Sequence, residues 1–265
     1  MDCSATGFLS AVWRVAALAS LFAGSALEAH AATVAELADA QARVQYAFLT
    51  ADARALEGVL AEIAQYDTDA RWQATKSYQL AHGYWKLAQV YARQARNNSG
   101  TKSAASLASA AAKRCVEHAR AARAHDPRLA EAFALEAVCD GMPRAYLAAE
   151  GLTGSCARSK PLRAALDLEP NNPRIRLIEA MCAGAGDASV VARWQRVVAA
   201  FAAAPPALAG QPDWGEPEAL AMLGAQLIRQ GDTLAARDAL ERALVLAPDY
   251  HAARELLEAV SQRAR

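Results

Sequence analysis

An excess of positive charge is missing from this chain: 28 lysine and arginine residues stand against 28 aspartate and glutamate. A nucleic-acid-binding domain needs a basic face for phosphate contacts, and this balance supplies none. No polybasic run exists for an anionic lipid surface either. Aromatic residues make up only 6% although apolar residues make up 54%. The difference is largely alanine, the strongest helix former and one small enough to let helices approach closely. Lysine occurs only at Lys76, Lys86, Lys102, Lys113 and Lys160, so the cations are overwhelmingly arginine. No stretch alternates with period two for long, and no strand is expected. No C-x-x-C and no H-E-x-x-H occurs, and neither Gly151-x-x-Gly154 nor Gly184-x-Gly186 is continued by Lys-Ser/Thr. Thioredoxin-like, zinc-ribbon, metalloprotease and P-loop signatures are therefore absent.

One apolar run reads as an address. Residues 15–27 follow Arg14 and lead to Ala29-His30-Ala31, a small-residue cleavage pattern. A cationic flank, a short apolar core and A-x-A make a secretory signal peptide over 1–31, leaving a mature chain of 32–265. An uncleaved anchor or a buried first helix is the alternative. Cleavage removes Asp2, Arg14 and Glu28, so 27 basic and 26 acidic residues remain. No cysteine follows the run, so a lipid anchor is not expected, and no second long apolar segment offers a membrane anchor. The expected location is a bacterial periplasm. Cys3 leaves with the signal, and Cys115, Cys139, Cys156 and Cys182 remain. In an oxidising compartment four cysteines allow three pairings, and spacing does not choose among them. The competing reading is four small buried residues at helix contacts.

Helical periodicity fills the rest. Val34, Leu37, Val44 and Phe48 share one face, and Leu56, Leu60 and Ile63 a second. Further helices are expected at 71–95, 103–125, 128–140, 155–168, 174–183, 188–203, 217–230, 233–247 and 250–263. Breaks are expected at 97–100, at a loop holding Gly141, Pro143, Gly151 and Gly154, and at 205–215. The fold class is all-α, with about ten to eleven helices after the signal peptide.

Pro127, Pro170 and Pro248 each end an alanine-rich helix after similar segments, AARAHDP, RAALDLEP and RALVLAP. The last unit reads Leu220-x2-Leu223-Gly224-x2-Leu227, then Ala236-x3-Leu240-x2-Ala243 and Pro248. This spacing resembles the tetratricopeptide repeat, in which Gly224 would let one helix lie against Ala236 of the next. Leu240 and Ala243 would fill the following contact, and Gly231-Asp232 would make the turn. Leu87, Ala88 and Tyr91 match in part with Cys115, Ala119 and Ala122, with an insertion around 96–110. Phe133 and Ala137 match with Leu162 and Ala165. Ala180, Ala192 and Ala199 keep the register, but Arg176, Glu179 and Arg196 stand where large apolar residues are usual. The resemblance implies an antiparallel helix-hairpin solenoid over 32–265, clearest at 217–250, with a capping helix at 250–263 whose wet face carries Glu255, Glu258 and Gln262.

Chemistry is thinly signalled. Cys115, His118 and His125 share a helical face without a recognised metal motif, and a solvated face is expected. Gly151-x-x-Gly154 and Gly184-x-Gly186 follow no strand and read as loops. No cofactor, metal or catalytic residue is assigned. In the family the first helix of each repeat faces a concave groove. The resemblance therefore implies a groove lined by His82, Trp85 and Gln89, by Glu131, Ala134 and Val138, by Arg174, Leu177 and Met181, and by Glu218, Ala221 and Ala225. Arg174 alone makes no carboxylate clamp; Trp85, Val138, Leu177 and Met181 suit apolar anchors of a bound segment. The alternative is that inserted loops fill the groove. Trp214, just before the clearest repeat, is expected to staple its loop onto the helix that follows. The expected function is a periplasmic adaptor or scaffold that binds a peptide or protein segment, with no nucleic-acid partner. The alternative is a small-molecule-binding accessory protein of an uptake system, with a pocket enclosed by 96–110 and 141–156.

Overall fold

The structure, a computed structural model, describes residues 34–97, 102–147, 156–184, 189–207 and 212–263. The expected signal segment, the glycines at 151, 154 and 186, and most of the break at 97–100 lie outside the described residues. Eleven α-helices are described: α1 (Val34–Leu49), α2 (Ala53–Gln65), α3 (Gln73–Asn97), α4 (Lys102–His125), α5 (Ala130–Leu147), α6 (Lys160–Leu168), α7 (Pro173–Ala183), α8 (Val190–Ala203), α9 (Glu216–Gln230), α10 (Thr233–Leu246) and α11 (His251–Arg263). One 3-10 turn precedes α3. Among the described residues there is no strand, and no helix is long and apolar enough to cross a membrane.

Local chemistry starts and stops these helices. Asp52, Ser159, Asn172 and Asp232 each accept a backbone N–H of the first turn of α2, α6, α7 and α10. Those donors have no partner inside the helix, which is why short polar side chains are favoured there. Pro161 and Pro173 sit where a missing N–H costs nothing. Gly231 closes α9 at φ 83°, a conformation side chains rarely adopt, and its N–H returns to the last turn.

Helices pack on their sequence neighbours, α3 on α4, α4 on α5 and α9 on α10 most extensively. Alternate helices also touch: α1 with α3, α3 with α5, α5 with α7 and α9 with α11. One apolar cluster runs through all of them, from Ala40 to Val260. In the 217–250 unit, Leu220, Leu223, Leu227, Ala236, Leu240 and Ala243 are buried, and Pro248 lies exposed just past α10. A Cβ on Gly224 would come within 2.7 Å of Leu240 Cγ and 3.4 Å of the Ala236 carbonyl oxygen, so α9 and α10 are in close contact there. Gly83 of α3 does the same against Leu60 of α2, at 2.5 Å. Glu255, Glu258 and Gln262 are exposed on α11.

The helix expected at 103–125 is found as α4, which begins at Lys102. Its alanines, Ala104, Ala108, Ala111 and Ala112, are buried, and it packs extensively on α3. Two expectations are corrected. The loop expected from Gly141 is at first helix: α5 runs on through Gly141 and Pro143 to Leu147, with Cys139 and Met142 buried, despite a proline that cannot donate to the helix. Finally, α8 buries Val190, Trp194, Val197 and Val198, while Ala192 and Ala199 are exposed. This helix is rotated from the repeat register, because its bulkiest apolar residues fall on another face.

The four cysteines are buried and paired, Cys115 with Cys139 and Cys156 with Cys182. The first bond ties α4 to α5, and the second ties the chain before α6 to α7.

Candidate functional site

Most of the residues expected to line a groove are interior. His82, Trp85, Glu131, Ala134, Val138, Leu177, Glu218 and Ala221 are buried. Gln89, Arg174, Met181 and Ala225 are half-buried, with Met181 packed against the core. Over His82 and Trp85 of α3 lies Trp214, only 3% exposed. Beside the α9 residues of the same apolar cluster, its ring meets α3. Its ring stacks on His82 at 4.8 Å and meets Trp85 edge-on at 5.3 Å, and its Nε1 donates to Tyr78 Oη at 2.9 Å. All three partners belong to α3. Gly215 then turns the chain at φ 113°, where a Cβ would strike Phe201 of α8 at 2.6 Å and approach Leu177 of α7 at 3.4 Å.

A polar seam runs beneath this plug. Tyr78 donates to Glu131 Oε2 at 2.5 Å, while Asn172 and Arg174 donate to Glu131 Oε1 at 2.8 and 2.7 Å. Arg174, the clamp-type residue noted in the sequence, thus already holds the chain's own carboxylate. Lys86 donates to Glu218 Oε1 at 2.7 Å, and Gln45 of α1 donates to the same oxygen at 2.9 Å. The Lys86 ammonium lies 4.2, 4.4 and 5.0 Å from the rings of Phe48, Trp85 and Trp214. Such ring faces compensate part of the cost of taking a cation out of water. Gln45 and Glu218 are 173 positions apart, so a side chain of the first helix reaches α9. Phe48 against Tyr250, with ring centres 6.2 Å apart, adds a second contact between the ends of the described chain.

Burial sets the protonation of this seam. It draws Lys86 below its ordinary value, against the attraction of Glu218. Burial opposes ionisation of Glu218 too, but the Lys86 charge and the Gln45 and Lys86 hydrogen bonds outweigh it and hold the carboxyl low. Burial pushes Tyr78 well above its usual range, reinforced by Glu131. It also drives His82 well below, helped by the Lys86 and Arg174 charges. A neutral His82 can stack on Trp214 without introducing a further buried cation.

An open cleft of about 1070 Å³ lies between α7, α8 and the segment 204–207. Arg174, Arg176, Arg193 and Arg196 line it, with Glu169 and Glu179. Its apolar surface comes from Pro170, Pro173, Val197, Ala200, Pro205 and Pro206. Arg176 is paired to Glu179 at 2.8 Å, and Arg193 donates to the Gly184 carbonyl at 3.1 Å. Arg196 is exposed. Arg176, Glu179 and Arg196, flagged in the sequence as out of pattern, converge on this cleft, which sequence reasoning did not locate.

Among the described residues no group of histidine, cysteine and carboxylate side chains is arranged to hold a metal. Cys115 is committed to its disulfide, and His118 stacks on Tyr84 at 5.4 Å. No family model matches the chain, and no curated protein is significantly similar to it.

Proposed function

We propose that this chain is an exported adaptor of tetratricopeptide-like hairpins that binds a segment of another protein in the α7–α8 cleft, without covalent chemistry. The observation that carries this reading is the contrast between two faces. Most residues of the face a repeat protein would use for its ligand are buried, those of α3 beneath Trp214, while the α7–α8 cleft offers both apolar and charged surface. Concave surfaces with an apolar floor and a few polar groups are where ligands bind. The signal-like segment at 1–31 supports export, and two disulfides are in keeping with an oxidising compartment. The cleavage pattern supports release into the periplasm.

The test is affinity capture from periplasmic extract with the wild-type chain and with Ala200→Trp, which sets an indole on the floor of the cleft. The adaptor reading expects one or a few proteins retained by the wild type and lost from the variant. Recovery unchanged by Ala200→Trp would contradict it. Trp85→Ala and Leu177→Asp are unsuitable, since both side chains are core and their loss reports folding.

A further inference from the structure

We infer, on the basis of the binding role proposed for this cleft, that its partner segment is acidic and extended. Four arginines line the cleft against two glutamates. Glu179 already faces Arg176, Arg174 is held by Glu131 and Arg193 is engaged within the chain as well, so those three are committed. Arg196 stands exposed on α8 and edges the floor made by Val197 and Ala200. A guanidinium presents a planar fork that a carboxylate matches with two parallel hydrogen bonds. Lysine, which would supply only a point charge, is absent from the lining.

The walls argue for an extended ligand. Pro170, Pro173, Pro205 and Pro206 hold the backbone rigid and offer no N–H of their own, while Asn171 adds a side-chain amide at the rim. An extended segment sends alternate side chains to opposite sides. Apolar ones can settle on Val197 and Ala200 while a carboxylate in between reaches Arg196. A phosphate backbone fits less well, because it has no apolar side chains for that floor and the whole chain carries no net positive charge.

The experiment uses fluorescein-labelled decapeptides titrated with the purified chain and read by fluorescence anisotropy. One alternates glutamate and valine, a second has serine for glutamate, a third has lysine, and a labelled oligothymidylate serves as the competing anion. The inference expects the glutamate peptide to bind at least about tenfold more tightly than the serine peptide, and to weaken about tenfold in Arg196→Glu and again in high salt. Arg196 is exposed, so Arg196→Glu should melt like the wild type, and circular dichroism confirms that any loss is one of binding. Equal binding of the glutamate and serine peptides, an unchanged affinity in Arg196→Glu, or tighter binding of the oligonucleotide would overturn the inference. If glutamate and serine peptides bind alike and both are lost in Ala200→Trp, acidity is refuted while the adaptor role stands. If no peptide binds and periplasmic capture is also insensitive to Ala200→Trp, both fall together.

Discussion

Replacing Trp214 by alanine probes the closed interior most severely. The ring is 3% exposed and its contacts are to His82, Trp85, Lys86 and Tyr78 of one helix. Truncating a buried tryptophan costs about 3–5 kcal/mol through lost transfer energy and the cavity left behind. Losing the Nε1 donation to Tyr78 adds about 1 kcal/mol, held down because Tyr78 keeps its bond to Glu131. A domain of this kind is stable by about 5–15 kcal/mol, so Trp214→Ala should move the urea midpoint far down or leave the protein partly unfolded. Trp214→Phe keeps most of the apolar contact and loses the hydrogen bond, with an expected cost of about 1–2 kcal/mol. Urea titration followed by far-ultraviolet circular dichroism measures both, and unchanged slopes confirm a common denatured state. A cost below about 1 kcal/mol for Trp214→Ala would place the ring at the surface and refute the reasoning.

Other consequences are equally measurable. Each disulfide closes a loop spanning 24 or 26 positions, so Cys115→Ala with Cys139→Ala, or Cys156→Ala with Cys182→Ala, should each cost about 3–4 kcal/mol; free-thiol titration in denaturant should find none of these four cysteines. His82 is held below its unfolded value, so unfolding takes up a proton as pH falls below about 6.5, and stability is lost with a slope of up to about 1.4 kcal/mol per pH unit. His118 is shifted the same way, so His82→Gln should shallow the slope of midpoint against pH between neutral and mildly acid conditions without removing it. Three glycines should separate by surroundings: Gly58→Ala, with nothing within 4 Å, gains about 0.5–1 kcal/mol from helix propensity. Gly83→Ala and Gly224→Ala must displace buried Leu60 and Leu240, and lose about 1–3 kcal/mol in the same urea titration.

The helices were legible because each is bounded by local chemistry: prolines after α4, α6 and α10, and caps at Asp52, Asn172 and Asp232. The α9–α10 contact was legible too, since Gly224 and Leu240 fall at fixed spacing within one hairpin. What could not be read were relations between distant segments. The partners of Trp214 lie about 130 positions earlier, and nothing near Trp214 in the chain announces them. That Gln45 reaches Glu218 depends on the angles at every helix contact between them, which no local spacing states. The cysteine pairing needed the same long-range geometry. Arg176, Glu179 and Arg196 were visible as misfits, but their convergence appears only once α8 is seen rotated from the repeat register.

Hydrogen–deuterium exchange of the chain with and without the glutamate–valine decapeptide tests the central contrast between the closed and open faces. The account predicts new protection in 169–176 and 193–200, with α3 around Tyr78, His82 and Trp85 slow to exchange whether or not peptide is present. Fast exchange in that part of α3 that slows on peptide binding, with 193–200 unaffected, would contradict it.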